Sequence, residues 1–236
     1  MQQLTIITTY YNESDLLKRF LHNYNKIRNK FPVKLIIVDD GSQIEPAVKY
    51  IPHKLPGLSL YKVKEDLGFN SHGARNLGMQ QSKSYWNFLT DIDNDIGALD
   101  FQKVFDLPYY DRDVYSFHTN SIIINKDVYW SCKGYDEDYV GVHYGDRYFL
   151  NYLETNFNFY HIKNNPLYKL RYGWDVVEVP GLEKDYYVGN TLYMKPLDHI
   201  RNKEIDTIIK ERYWSNDFSS KSIINFDWEE VTCCES

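Results

Sequence analysis

The sequence predicts an α/β protein: an open, mostly parallel sheet with helices on both faces, followed by a smaller C-terminal part. Three observations lead to this fold class. Over the first 95 residues, apolar strands alternate with helices, and this alternation produces parallel strands joined by right-handed crossovers. Several of the strands end in polar segments, which is where open sheets of this kind bind ligands. The alternation stops after residue 100, which indicates a second half built differently.

Four strands and three helices account for the first 95 residues. Residues 4–9 are apolar and β-branched, which is typical of a strand covered on both faces. Apolar residues then recur at three- and four-residue spacing, which predicts a helix with Asn12 as its cap. Ser71 is the predicted cap of the third helix. In full, strands are predicted at 4–9, 33–38, 58–63 and 85–90, and helices from Asn12 to residue 27, at 45–51 and at 71–81.

Shorter elements are predicted after residue 100. We expect one domain of 236 residues, with a first half over 1–98, a second half over 99–200, and a C-terminal helix and tail over 201–236. Residues 134–145 are predicted to form a loop. The remaining elements are strands at 114–118, 121–124 and 157–162, and helices at 126–132, 146–154 and 203–214.

The composition excludes several classes of partner. The net charge is −6, from 27 basic and 33 acidic residues, whereas nucleic-acid binding needs a basic face. Three cysteines form no disulfide or metal-binding framework, as is usual in a reducing compartment. The first residues lack the pattern of a secretory signal. No window is long and apolar enough for a transmembrane segment. We therefore expect a soluble, cytoplasmic protein that does not bind nucleic acid.

The segment 86–95 is the most informative part of the chain. A buried strand ends there in three carboxylates on alternate positions, Asp91, Asp93 and Asp95. Burying such acids without partners costs several kcal/mol each, so they must lie at a strand end. Asp91 and Asp93 form an Asp-x-Asp pair of hard oxygen ligands that suits Mg²⁺ or Mn²⁺ with a phosphate. The alternative is a loop of solvated acids, and this is what we expect of Asp95.

Five sequence blocks resemble, in order, the motifs of the family 2-like glycosyltransferases with the GT-A (Rossmann-like) fold. The second resembles Val-Asp-Asp-Gly-Ser, the third the Gly-x-x-x-Ala-Arg-Asn-x-Gly block, and the fourth the Leu-Asp-x-Asp strand end. The fifth is similar to Gly-Gly-Phe-Asp-Glu followed by Glu-Asp. The blocks lie at residues 4–13, 37–42, 67–78, 88–93, and 133–137 with 145–146.

The resemblance implies a nucleotide-diphospho-sugar donor, with a UDP-sugar favoured, and Mn²⁺ or Mg²⁺ as cofactor. It makes 1–98 the nucleotide-sugar-binding half and 99–200 the acceptor-binding half. Either Asp39 or Asp40 is expected to accept a hydrogen bond from a ring N–H of the base. Arg75 is expected to reach the diphosphate or to hold the acids in place. The implied donor-binding residues are Thr9, Tyr11, Asp39, Asp40, Arg75 and Asp91. The implied metal ligands are Asp91, Asp93 and His199, with His161 as the alternative histidine.

On the acceptor side, Asp146 aligns with the family's general base, which implies transfer with inversion to a hydroxyl of a saccharide or glycoconjugate. Its alternative role is a helix N-terminal acid favoured by the helix dipole. The implied acceptor-binding residues are Tyr135, His143 and Tyr144. Gly145 replaces an acid of the family motif, so a non-catalytic module that binds sugar nucleotide or glycan is a second hypothesis. A nucleotidyltransferase is a third, disfavoured because no glycine-rich loop follows the first strand.

Overall fold

The structure is a computed structural model that describes residues 3–52, 55–68, 70–118, 120–139, 146–165, 167–169 and 196–231. The predicted acceptor residues His143 and Tyr144, together with Gly145, lie outside the described residues. The described chain forms one main sheet with apolar layers on both faces. Among the described helices, none combines the length and the apolar character needed to cross a bilayer.

Ten strands are described. Eight form the main sheet, in the order β10-β3-β2-β1-β4-β7-β6-β8, and β5 pairs separately with β9. The neighbours β3, β2, β1 and β4 are parallel, as the alternation of strands and helices predicts. Their bounds are β1 Leu4–Tyr10, β2 Val33–Asp39, β3 Leu58–Val63, β4 Trp86–Asp91, β5 Asn94–Asp95, β6 Asp113–His118, β7 Ser121–Asn125, β8 Asn158–His161, β9 Tyr168–Lys169 and β10 Trp228–Val231.

The helices form two layers. The first helix packs its stripe of Leu17, Phe20 and Tyr24 on one face of the sheet, and the second and fifth helices pack on the other. This cover on both faces explains why β1 is apolar throughout. The helices are α1 Ser14–Arg28, α2 Ser71–Gln81, α3 Phe101–Phe105, α4 Lys126–Trp130, α5 Asp146–Asn156 and α6 Pro196–Ser215, with 3₁₀ turns at Ala47–Lys49, Ile96–Ala98 and Glu137–Tyr139.

Helix α2 lies unusually close to the sheet because of Gly78. A Cβ atom at this position would lie 2.5 Å from Cγ2 of Ile7, which is closer than real Cβ contacts come. The absence of a side chain therefore brings the helix down onto β1 and β2. Arg75 and Asn76 lie within one turn of Gly78 on the same helix. The close approach of the helix therefore also sets the distance of these two residues from the sheet.

Three local predictions are wrong. Asn12 does not cap α1: its side chain accepts hydrogen bonds from the backbone N–H groups of Ile44 and Glu45, at 3.1 and 2.9 Å. Ser71 is the first residue of α2 and not its cap, and the preceding Asn70 makes no side-chain capping bond. The helix predicted at 45–51 is only the 3₁₀ turn Ala47–Lys49. The backbone N–H groups of Glu45 and Ala47 donate instead to the side chains of Asn12 and Asp39.

The C-terminal residues return to the first half of the chain. Strand β10 pairs antiparallel with β3 at the sheet edge, where the Trp228 and Tyr61 rings meet edge to face with centroids 5.8 Å apart. No strand is predicted from the sequence for this tail. Helix α6 is also longer than predicted, since it begins at Pro196 and ends at Ser215.

Candidate active site

The three polar strand ends meet at one edge of the sheet, as the sequence predicts. Strand β1 lies between β2 and β4, and its Thr9 is the register partner of Val38 on one side and of Asp91 on the other. Because all three strands are parallel, the segments that follow them leave the sheet on the same side. Except for Arg75, which lies in α2, the donor-binding residues expected from the sequence therefore lie at or directly after neighbouring strand ends.

Asp39 and Asp40 are both buried but have different partners. Oδ1 of Asp39 accepts from the N–H of Ser42 at 2.8 Å, and Oδ2 accepts from the N–H of Ala47 at 2.7 Å. Both carboxylate oxygens of Asp39 are therefore used to hold the loop after β2. Asp40 accepts from the N–H of Asn70 through Oδ2, at 2.9 Å. Its Oδ1 has no hydrogen-bond partner among the described residues.

Asp40 lies in a tight cradle with an unusual pKa. A Cβ at Gly41, whose φ is +78°, would lie 2.5 Å from the carbonyl oxygen of Glu65, so only glycine fits there. Burial raises the pKa of Asp40 to about 8, against the opposing hydrogen bond from Asn70. The folded protein thus retains a proton that the unfolded chain loses near pH 4. The contribution of Asp40 to the free energy of unfolding therefore falls as the pH rises from about 4 towards 8.

Asn70, whose backbone N–H bonds Asp40, also has a buried polar side chain. Asn70 is buried, and neither its amide nitrogen nor its amide oxygen has a partner among the residues described. A Cβ at Gly73 would lie 2.5 Å from that amide oxygen, so the glycine leaves the space that Asn70 occupies. Tyr11, on the other side, donates its hydroxyl to Asp66 at 2.8 Å. Sequence reasoning missed Asn70 as a candidate, although it lies within the third sequence block.

Arg75 and Asp91 form the central ion pair of the site. Nη2 of Arg75 donates to Oδ1 of Asp91, and the arginine is 5% exposed. Burial alone lowers the pKa of Arg75, but the charge of Asp91, followed by Tyr135 and Asp146, raises it above its ordinary value. Arg75 therefore lies within electrostatic range of both the strand-end acid and the acid of α5. The hydrogen bond to Asp91 is the contact expected of an arginine that holds the acids in place, and both expected roles of Arg75 stay predictions.

Asp93 and Asp95 are placed differently. Asp95 accepts from Arg19 at 2.7 Å and from Asn23 at 2.9 Å, so it ties the strand end to α1. It is therefore not simply a solvated acid, and its partners keep it from serving as a third metal ligand. Asp93 lies between Asp91 and Asp95 and is half-buried. The two acids of the Asp-x-Asp pair thus remain together at the strand end.

The two carboxylates at the end of β4 are compatible with a divalent cation, but the described residues do not supply a complete set of metal ligands. Two carboxylates at a strand end are suited to Mg²⁺ or Mn²⁺, which usually keep water and phosphate ligands as well. Within the described ranges, no group of three or more His, Cys, Asp or Glu side chains is arranged around a common point. His199 lies in α6 with its side chain outside the description. The alternative, His161, is on the sheet's edge strand and lies 3.4 Å from Glu154.

Asp146 is the first residue of α5, and its side chain is half-buried. Phe149 follows one turn later and contacts Tyr135, with ring centroids 4.2 Å apart. Tyr135 in turn stacks on His72 of α2, at 5.2 Å and 6° between planes. These contacts connect the start of α5 to the helix that carries Arg75.

The predicted contact of Tyr135 with the acceptor does not fit this arrangement. Its side chain is 0% exposed, and its ring contacts His72, Phe149 and the Arg75 guanidinium. No face of the ring is therefore open to a sugar. The aromatic character of Tyr135 serves the packing of α5 against α2.

A network that sequence reasoning missed holds the loop before α5. Nδ2 of Asn76 donates to the carbonyl of Tyr135 at 3.0 Å and to Glu137 at 2.8 Å, and its Oδ1 accepts from the N–H of Tyr135 at 3.0 Å. Arg212 of α6 binds both oxygens of Asp136, at 3.0 and 3.1 Å. The buried Lys221 donates to the carbonyl of Gly134 at 2.6 Å. Asn76 lies in the third sequence block and Glu137 in the fifth. Their positions in these blocks are the signal by which the sequence could have pointed to them.

Comparison with known proteins identifies the family. Residues 5–170 match the model of glycosyl transferase family 2. The chain belongs to this family. Over 92 residues, this family 2 chain is 32% identical to hyaluronan synthase of Pasteurella multocida, an alignment that covers 38% of the chain and 9% of that protein. The chain therefore spans only a small part of this curated relative.

Solved structures confirm the GT-A fold of this family 2 chain. TarS of S. aureus superposes with a TM-score of 0.59 at 15% identity, covering 71% of this chain and 36% of TarS. The mannosyltransferase PcManGT of Pyrobaculum calidifontis, in complex with GDP-Man and Mn²⁺, superposes with a TM-score of 0.57 at 18% identity. That match covers 70% of this chain and 55% of PcManGT. At these identities the likeness concerns the fold.

Proposed function

We propose that this chain transfers a sugar from a nucleotide-diphospho-sugar to a hydroxyl group of a saccharide or glycoconjugate. One observation carries the proposal: Asp40 with its unused oxygen, the Arg75–Asp91 pair and Asp146 are grouped around α2 at the carboxyl edge of the sheet. Structures of TarS in complex with UDP and with UDP-GlcNAc share the fold and support a donor of this class.

Asp40, rather than Asp39, is the residue we propose to bind the base. Its Oδ1 is a buried acceptor without a partner in the described part of the chain, and leaving such an atom unpaired costs about 1–3 kcal/mol. The ring N–H of uracil satisfies an acceptor of this kind. Asn70 offers both a donor and an acceptor beside it, which matches the neighbouring carbonyl and N–H groups of a base edge. We also propose Thr9, near the end of β1, and Tyr11, which follows it, as donor-binding residues.

The diphosphate is placed by this proposal at the end of β4. Asp91 and Asp93 would hold a divalent cation there, and this cation would supply charge neutralisation for the leaving nucleoside diphosphate. Arg75 fixes the orientation of Asp91 through its buried hydrogen bond. PcManGT, crystallised with GDP-Man and Mn²⁺, supports a metal in a site of this fold.

Asp146 is the proposed general base for the transfer step. Its carboxylate takes the proton of the acceptor hydroxyl while the hydroxyl oxygen bonds to the anomeric carbon of the donor sugar. The bond from that carbon to the diphosphate oxygen breaks, and the nucleoside diphosphate leaves with the electron pair. Attack from the face opposite the leaving group inverts the anomeric configuration.

A thermal-shift series tests the donor site. A nucleoside diphosphate or UDP-sugar that binds should, at about 100 times its dissociation constant, stabilise the protein by about 2.7 kcal/mol. UDP should bind, and ADP and CDP should not, because adenine and cytosine lack the ring N–H that Asp40 would accept. Release of UDP on adding an acceptor separates an enzyme from a non-catalytic binding module. If none of these nucleotides shifts the melting temperature, the donor site is wrong.

Above pH 8, where Asp40 is ionised, Asp40→Asn should weaken the binding of a UDP-sugar by roughly tenfold or more, the expected loss of a hydrogen bond to a charged group. The matched variant Asp39→Asn should instead lower the melting temperature while the folded fraction still binds the donor, because Asp39 bonds only the loop backbone. Isothermal titration measures both affinities. Equal donor affinity in Asp40→Asn and wild type would remove Asp40 from the base site.

The raised pKa of Asp40 predicts a pH dependence of donor binding. A ring N–H binds the ionised carboxylate, and the pKa of about 8 means that the free protein is mostly protonated below that pH. Affinity for a UDP-sugar should therefore increase as the pH rises from 6 to 8, by at most about tenfold per pH unit for one proton. The donor's phosphodiesters do not titrate in this range. Asp40→Asn is the control, and its affinity should show no such increase.

A further inference from the structure

Tyr135 carries a hydroxyl group that its packing does not require. The ring is fully buried between two helices: His72 and Arg75 of α2 lie on it at 5.2 Å, and Phe149 of α5 contacts it at 4.2 Å. A phenylalanine ring makes all of these contacts equally well. The hydroxyl has no hydrogen-bond partner among the described residues. A buried polar group left without a partner destabilises the fold.

The two helices present their site residues to this ring. On α2, His72 and Arg75 are three residues apart and therefore share one face. On α5, Asp146 and Phe149 are also three residues apart and share a face, and Phe149 contacts the Tyr135 ring. Tyr135 thus lies where the face of α2 that carries Arg75 meets the face of α5 that begins with Asp146. Its own backbone is held on both sides by Asn76.

The charges around the hydroxyl keep it a hydrogen-bond donor. Burial raises the pKa of Tyr135 well above its ordinary value; Arg75 opposes this, and the negative charges of Asp146 and Asp91 add to it. A protonated phenol donates to a carboxylate. Asp91 is already ion-paired with Arg75, whereas Asp146 begins the helix whose Phe149 contacts the Tyr135 ring. We therefore take Asp146 as the carboxylate that accepts the phenol proton.

We propose that Tyr135 is a positioning residue for the general base, and that its buried hydroxyl donates to Asp146 when both substrates are bound. The inference rests on the proposed function. One carboxylate oxygen then accepts from Tyr135, and the other faces the acceptor hydroxyl. Among the described residues the hydroxyl has no partner, and it acquires one in the complex, so the cost of burying it is offset in the reacting state.

The test compares Tyr135→Phe with wild type. We expect kcat to fall by roughly tenfold or more, the loss of one hydrogen bond to a charged group, with KM for the donor unchanged. The melting temperature should stay the same or rise, because an unpaired buried hydroxyl is removed. A purely structural tyrosine does not lower kcat while the melting temperature stays the same or rises.

In the Asp146→Asn background, Tyr135→Phe should lower the residual rate no further, because the effects of substituting residues that act as a unit are not additive.

Tyr115→Phe is the matched control. Tyr115 is also buried, but its hydroxyl donates to Asp113 at 2.7 Å, far along the sheet in β6. This control should lower the melting temperature and leave kcat unchanged. Suppose that the wild type is active and that Asp146→Asn is not. An unchanged kcat in Tyr135→Phe then overturns the positioning role of Tyr135 and leaves the proposed function intact. A wild type without transfer activity for any donor overturns both the proposed function and this inference.

Discussion

Asp146→Asn is expected to lower kcat by about 10²–10⁴, the usual contribution of a general base, while donor affinity stays within a few-fold of wild type. Asparagine has the same shape and can still occupy the first turn of α5, so the helix and its contact through Phe149 should survive. The amide cannot take the proton of the acceptor hydroxyl. Rates of nucleoside diphosphate release with saturating acceptor measure the effect, and isothermal titration with a UDP-sugar measures the binding.

The control for this prediction is Asp127→Asn. Asp127 is also an acid in the first turn of a short helix, α4, so the substitution removes the same favourable interaction with a helix dipole. It lies outside the candidate site and bonds the hydroxyl of Tyr85. We expect its kcat to equal that of wild type. If Asp146→Asn retains more than a tenth of the wild-type kcat, Asp146 is a helix N-terminal acid and another group acts as base.

The sheet and the position of the site could be predicted because both depend on local sequence signals. Continuous apolar runs such as β1 and β2, separated by amphipathic helices, specify parallel strands buried on both faces. Polar residues after parallel strands then meet at one edge by topology alone. This is why Asp39, Asp40 and Asp91 could be assigned to one site without knowledge of any contact between them.

The division of roles within the site could not be predicted, because it depends on partners distant in sequence. Asp39 and Asp40 are adjacent and both buried, yet only Asp39 has both oxygens bonded, and its partners are backbone groups in the following loop. Asp95 looked solvated because the sequence does not show that Arg19 reaches it across 76 residues. The arginine that holds Asp136 is equally far away in the chain.

The C-terminal tail shows the same limit. Its residues have little periodicity, so no strand could be predicted, yet they reach the loop before α5. The backbone N–H groups of Ile224 and Asn225 donate to Glu137, at 2.7 and 3.3 Å. Lys221 is 5% exposed and bonds the carbonyl oxygens of Cys132 and Gly134. A lysine in the sequence gives no sign that its ammonium group is buried against backbone carbonyls.

Asp91→Asn and Asp93→Asn are expected to differ in stability, although the two acids are only two residues apart. Arg75 is buried and bonds Asp91. Removing the ionised partner of a buried pair leaves an uncompensated charge and costs roughly 3–5 kcal/mol. Asp93→Asn leaves that pair intact and should cost less. Urea unfolding measures the difference as a lower midpoint for Asp91→Asn with an unchanged slope.

Both substitutions should nevertheless remove the part of UDP-sugar affinity that depends on Mn²⁺, because each takes away one of the two carboxylates that would hold the cation. Asp95→Asn is the control on the same segment. Its carboxylate is bound by Arg19 and Asn23, so donor affinity should still increase on adding Mn²⁺. Titrations with and without the metal decide between these outcomes. If Asp93→Asn shows the same Mn²⁺ enhancement as wild type, Asp93 is not a ligand. If Asp91→Asn unfolds at the wild-type midpoint, the buried pair with Arg75 does not hold the site together.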